Sequence, residues 1–200
     1  GTQQALEFIK ANPPHLVTLD IQMPDMYGLE TLGEIQKINA TRRPDEQIGV
    51  IMLSSHTQKG ADITVQALEM GAFDFIAKPE SRNLKDNIAQ LCRQLVVKVR
   101  DYASTRIPSA AREQRIPRQT AAGSITPRSL VRAAGFKAIM IGVSTGGPQA
   151  LAELLPPLCA QVEVPIFIVQ HMPPTFTQSL AKSLNNKCRY EVVEAGENEY

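Results

Sequence analysis

The sequence predicts an α/β protein, two parallel-sheet domains joined by a connector. Short apolar runs alternate with segments of helical spacing over residues 4 to 100 and again after about Lys137. The run Ile48-Gly49-Val50-Ile51-Met52-Leu53 is continuous, as in strands buried on both faces. Between the two blocks, arginine and proline replace the large apolar residues.

In the first block, Ala5, Leu6 and Ile9 mark a helix closed by Asn12-Pro13-Pro14. Leu16 to Leu19 reads as a strand ending at Asp20. A helix from about Gly28 to Ala40 turns Leu29, Leu32 and Ile35 inward. After the strand at 48–53, Ile63, Ala67 and Met70 stripe the next helix, and Phe73 to Ile76 is another strand. From Leu84 to about Arg100, spacings of four, three, four and four put Leu84, Ile88, Leu91, Leu95 and Val99 on one helix face. Residues 103 to 133 hold Arg106, Arg112, Arg115, Arg118, Arg128 and Arg132 against one acid, Glu113, with Pro108, Pro117 and Pro127 interspersed. No aromatic residue interleaves these arginines, so a solvated connector is favoured over a nucleic-acid or acidic-partner contact. The second block reads strand (138–142), turn, helix (148–155), strand (164–170), helix (about 175–184) and strand (189–193). The domains are expected at 1–102 and 137–200, with the connector at 103–136. Five elements over about 60 residues cannot bury a full sheet, so the second domain is expected to be cut short.

A formal net charge of +1 gives no drive toward nucleic acid or an acidic surface. No apolar stretch approaches the roughly 20 residues of a membrane span, so no membrane insertion is expected. Cys92, Cys159 and Cys188 make no CxxC pair and no zinc spacing; free thiols and a cytoplasmic location are expected.

The most informative stretch is Ala138 to Pro148. A strand enters Gly142-Val143-Ser144-Thr145-Gly146, a G-x-S-x-G pattern, and Leu151, Leu154, Leu155 and Leu158 follow at helical spacing. A sharp strand-to-helix turn pushes a serine oxygen out of the sheet and aims N–H groups at a developing oxyanion. A nucleophile, an anion cradle and a structural turn all remain open on this turn alone. His171 follows Ser144 by 27 residues and ends the run Ile166 to Gln170. Neighbouring parallel strands lie about 4.8 Å apart, so the serine and histidine share one sheet edge, the arrangement a serine and its base require. Glu191, Glu194, Glu197 and Glu199 are available as an orienting acid, and none is convincing.

Asp20, Ser54 and Lys78 end three successive strands of the first block, where parallel sheets bind ligands. Asp25 competes with Asp20 on charge but lies beyond Pro24 in a loop. With these residues, Met23-Pro24-Asp25-Met26-Tyr27-Gly28, Leu53-Ser54-Ser55 and Gly71-Ala72-Phe73-Asp74-Phe75-Ile76-Ala77-Lys78-Pro79 resemble a response-regulator receiver domain, of flavodoxin-like fold. The resemblance implies phosphorylation at Asp20, phosphoryl sensing by Ser54 and Lys78, and Mg²⁺ held by Asp20, a backbone carbonyl at Gln22 and an acidic pair expected upstream of Gly1. The receiver is therefore expected to be N-terminally truncated. His15 stands where the family usually has Asp and reads as structural; His56 reads as an exposed loop residue near the phosphorylation edge.

Gly142 to Pro148 together with Val169-Gln170-His171-Met172-Pro173 resembles the CheB protein-glutamate methylesterase domain, a doubly wound parallel sheet. The resemblance implies phosphorylation-activated hydrolysis of glutamate methyl esters on chemotaxis receptors, with deamidation of receptor glutamines. Ser144 is the implied nucleophile and His171 the base, with oxyanion donors around Thr145 and Gly146. The third member, an Asp, is expected beyond Tyr200. The implied partners are methyl-accepting receptors and a chemotaxis histidine kinase as phosphodonor; the esterase needs no cofactor. Two rivals remain: a receiver-linked α/β binding module without catalysis, and a DNA-binding regulator. Alternation of strands and helices after the connector argues against the second.

Overall fold

The computed structural model describes residues 2–23, 28–106 and 137–196. In the first half, β1 (Leu16–Asp20), β2 (Gly49–Ser54) and β3 (Asp74–Ala77) form a parallel sheet with β2 central. The register pairs Asp20 with Leu53 and Ser54 with Ala77, so the carboxyl ends are nearly flush. Val50, Ile51 and Met52 are wholly buried, as their unbroken apolar run predicts. Three helices, α1 (Thr2–Ala11), α2 (Gly28–Asn39) and α3 (Gln58–Glu69), precede or join these strands. Buried Asn39 ends α2 and fixes the entry to β2. Its Oδ1 accepts from Ile48 N at 2.8 Å, and its Nδ2 donates to Ile48 O at 2.9 Å. Thr57 caps α3 by accepting from Gly60 N.

The long helix α4 (Leu84–Arg106) is longer than the expected one, and of its expected apolar face only Leu91 and Leu95 are partly buried. Leu84 and Ile88 are 72% and 54% exposed, and Val99 is exposed as well. Tyr102 sets the inward face instead. It is buried, its hydroxyl donates to Gln47 O at 2.9 Å, and its ring meets Phe73 edge-on at 4.9 Å. These anchors carry the helix past Arg100 into the predicted connector. Residues 103–106 are therefore helical, and 107–136 lie outside the described residues. The stripe on α3 also shifts. Ala61, Thr64, Val65 and Leu68 are buried with Ala67, while Met70 is exposed, because α3 is covered by both its own sheet and the second half of the chain.

In the second half, β4 (Ile139–Val143) and β5 (Ile166–Gln170) pair in parallel, from Ile139 opposite Ile166 to Val143 opposite Gln170. Ile141, Val143, Ile166 and Ile168 pack on α5 (Gly147–Cys159) and α6 (Pro174–Asn185). Met140, Phe167 and Val169 on the other face are exposed. The helix α5 continues through Pro156 and Pro157, beyond the predicted stop at 155. Leu151, Leu155 and Cys159 are buried four residues apart, and their packing outweighs the lost amide donors. The predicted strand at 189–193 is absent. Val192 N donates to Asn185 Oδ1 at 2.8 Å, so the segment is tied back to α6 rather than to a ladder.

The halves meet where α3 packs along α6, and they exchange side chains there. Phe176 from α6 is wholly buried in the first core, stacked on Phe75 at 4.5 Å. Val65 from α3 sits in the second core with Leu151, Leu155, Leu180 and Leu184. We predict that Phe176→Ala lowers stability by about 3–5 kcal/mol, read as a lower urea midpoint. Phe8→Ala, at a side chain 64% exposed, should change stability by less than about 0.5 kcal/mol.

Candidate functional site

Two sites form at carboxyl ends of parallel strands. At the first, Lys78 Nζ donates to Asp20 Oδ2 at 2.5 Å, and Gln22 N donates to Asp20 Oδ1 at 3.1 Å. Asp20 remains about one-third exposed, so an incoming group can reach it. Ser54 is at the same edge, since Lys78 N donates to Ser54 O at 2.7 Å. Its hydroxyl is turned into α3, 2.7 Å from Thr64 Oγ1 and 3.2 Å from Gly60 O. The structure thus joins Asp20 to Lys78, while the Ser54 hydroxyl is engaged with Gly60 and Thr64 of α3. Among the described residues, no group of three His, Cys, Asp or Glu side chains could hold a metal ion. Asp20 is a single carboxylate already paired with lysine, so these residues do not by themselves fit a Mg²⁺ site. Residues 24–27, Asp25 among them, lie outside the described residues.

At the second site, Ser144 follows β4 and His171 follows β5. The register fixes them as neighbours, and His171 N donates to Val143 O at 3.1 Å. The turn closes through Gly147 N to Ser144 O at 2.8 Å, and Gln170 Nε2 donates to the same carbonyl at 3.0 Å. Gly146 caps α5 in the left-handed region at φ 74°, a conformation that costs other residues about 1–2 kcal/mol. Gly147 is needed for space: a Cβ there would stand 2.9 Å from Val143 Cβ, as well as 2.2 Å from the movable Gln170 Oε1. Ser144 and His171 are both exposed into one cleft of about 710 Å³. No hydrogen bond links their side chains, and no carboxylate bonds the His171 ring, among the described residues. Apo sites of this kind often tighten only with substrate.

Sequence reasoning missed two members of this site. Gln170 braces the serine turn. Asp74, on the first sheet's side of the cleft, accepts from Thr145 Oγ1 at 3.0 Å. Two of its partners, Lys98 and Thr145, lie 24 and 71 residues along the chain, so no local pattern points to them. Glu194 bonds Thr177 in the first turn of α6, apart from His171. His56 is exposed as expected, and its ring also meets Phe176 edge-on at 6.1 Å.

A family model described as CheB methylesterase matches residues 139–200, and one described as response regulator receiver domain matches residues 1–89. The chain carries a response regulator receiver domain and a CheB methylesterase domain. A protein-glutamate methylesterase/protein-glutamine glutaminase of Desulfotalea psychrophila is 43% identical over 203 residues, covering 98% of this chain and 54% of that protein. Proteins of the same description from Bacillus licheniformis and Trichodesmium erythraeum are 42% and 40% identical, each covering 96% of this chain and 53% of its own length. The chain spans about half the length of the curated relatives it matches. Within this CheB-type framework, the family's receiver supplies the Asp20–Lys78 edge and the methylesterase region supplies the Ser144–His171 edge.

The thiols are free: Cys92 exposed, Cys188 half-buried and Cys159 buried. Burial first, then the adjoining Cys159 thiol, holds Cys188 above the ordinary thiol range. Near pH 7 it stays protonated, and its thiolate appears only as pH rises past that of an ordinary thiol, about 8.5. Iodoacetamide at neutral pH is therefore expected to label Cys92 ahead of Cys188, with Cys188 labelling rising only in alkali; peptide mass spectrometry reads both. At the serine turn, Gly147→Ala is expected to cost about 1–3 kcal/mol through overpacking, seen as a lower thermal midpoint.

Proposed function

We propose that the full-length protein hydrolyses glutamate methyl esters on chemotaxis receptors, and deamidates receptor glutamines, under control of phosphorylation at Asp20. One observation carries this reading: the strand register sets Ser144 and His171 side by side, at the start of α5. His171 takes the Ser144 proton as Oγ attacks the ester carbonyl carbon. The carbonyl oxygen gains negative charge, which the N–H groups of Thr145 and Gly146, at the start of α5, would stabilise. The tetrahedral adduct collapses, methoxide leaves, and the His171 proton completes methanol. Water, deprotonated by His171, then cleaves the acyl-serine to glutamate and free serine. With a glutamine side chain the leaving group is ammonia.

In this reading the receiver spans 1–102, the connector 103–136 (its first residues continuing α4) and the esterase region 137–200. Asp20 accepts a phosphoryl group from a histidine kinase, Lys78 pairs with the new charge, and Ser54 turns toward it. The receiver's family use of Mg²⁺ enters here as a proposal; Asp20 and the Gln22 carbonyl would be this chain's contribution. A cytoplasmic location is part of the same proposal, and no described helix is long and apolar enough to cross a membrane. Docked as it is, the receiver walls the cleft that Ser144 and His171 line, and phosphorylation would release it.

Methanol release from methylated receptor membranes should fall at least about 10³-fold in Ser144→Ala and in His171→Ala. Asp20→Asn should take no label from a phosphodonor. Unchanged release in Ser144→Ala would sink the esterase. Phosphate binding at the Gly142–Gly147 turn, with no release from the parent protein, would favour a binding module.

A further inference from the structure

Asp74 opens β3 and is 7% exposed. Its carboxylate holds three donors. Phe75 N reaches Oδ1 at 2.8 Å, and Lys98 Nζ from α4 reaches Oδ2 at 2.7 Å. The third is the Thr145 hydroxyl, at 3.0 Å on the same Oδ2. Two of these ties lie within the receiver half. The third crosses the cleft to the residue directly after Ser144.

We infer that Asp74 is a positioning residue that latches the serine turn through Thr145 and restrains Ser144 while the receiver is docked. The inference rests on the proposed function and adds a device to it. Covering a site excludes substrate by bulk alone, whereas this contact acts on the turn itself. A threonine hydroxyl has one proton, and donated to Asp74 it is not available to a substrate oxygen. Thr145 sits between the serine and Gly146, the cap of α5, so holding it holds the turn. The Asp74 carboxylate also lines the cleft that Ser144 lines, and negative charge developing there would be opposed by it. Lys98 compensates that charge from the receiver side; Arg93 and Asp101 of α4 line the same cleft.

The latch also has a mechanical link to the phosphorylation edge. Strand β3 begins at Asp74 and leads directly into Lys78, which holds Asp20. One extended segment of roughly 13 Å therefore carries the serine latch at one end and the phosphoryl partner at the other. When Lys78 changes partner, the strand that bears Asp74 is pulled at its far end.

The test is hydrogen–deuterium exchange of amides 144–150 in the full-length protein, with and without acetyl phosphate, alongside methanol release. Thr145→Val removes the donor at an exposed turn position where unfolding is not expected. Without phosphodonor, it should raise uptake in that segment severalfold, to the level of the phosphorylated parent. Thr145→Ser should restore protection, and Asp74→Ala should reproduce the valine variant. Asp74→Ala should also raise unphosphorylated methanol release about tenfold, the worth of about 1.4 kcal/mol, and leave the phosphorylated rate within about twofold. A merely structural role for Asp74 would lower both rates. Unchanged uptake in Thr145→Val, or uptake in Asp74→Ala confined to β3 and α4, overturns the latch. Should no sample release methanol while uptake changes as described, the esterase reading fails and the latch stands.

Discussion

The structure depends on the exchange of two side chains across α3 and α6. Phe176 leaves the second half to complete the first core, and Val65 does the reverse. A fully buried phenylalanine is worth about 1.5–3 kcal/mol in transfer alone. The polar ties beside it are of another kind. Asp62 accepts from Ser179 at 2.7 Å and Gln58 donates to Ser179 at 2.8 Å, while Glu69 takes Ser183 at 2.6 Å and Lys187 at 2.7 Å. Half-exposed pairs of this sort contribute little net energy. They select one register of α6 on α3, and the apolar exchange supplies the attraction. The proposed release of the receiver would require such a joint both to hold and to open. Removing two buried side chains from each other's cores is costly, yet far cheaper than unfolding either sheet.

The docking also sets the serine turn against the first sheet. Parallel sheets present their ligand edges at the carboxyl ends of strands. With α3 against α6, β3 of the first sheet lies beside the turn after β4. Asp74 reaches Thr145 there, and Phe75, the next residue, stacks on Phe176. The latch and the core exchange are therefore adjacent in sequence, at Asp74 and Phe75. A movement that frees one disturbs the other, which gives the joint cooperativity without any long chain of contacts.

Much of this was legible in the sequence, for a definite reason. Strand ends are marked by an abrupt change from apolar to polar, so Asp20, Ser54, Lys78, Ser144 and His171 each announce their edge. Parallel register then makes edge residues of adjacent strands neighbours without further information. The helix faces were less legible, because periodicity says that a stripe exists and not what covers it. On α4, Leu84 and Ile88 continue an apolar spacing, yet Tyr102 and Lys98 decide which side turns inward. On α3 two surfaces claim the helix at once, and a single stripe cannot describe that. At 189–193 an alternating pattern met no free ladder, and Asn185 took the amide instead.

Asp74 was illegible for the same physical reason that makes it informative. Within its own strand it reads as a polar residue beside an apolar run, and its nearest bond, to Phe75 N, is local. Its other partners lie 24 and 71 residues away, on a helix and on the serine turn. A buried carboxylate must be compensated or it loses its charge. Lys98 does this without exhausting the oxygen, and Thr145 takes what remains. Without the lysine, the buried carboxylate would lack its charged partner, a costly arrangement inside a protein. The charge that compensates Asp74 within the receiver is thus what lets it grip the other half of the chain.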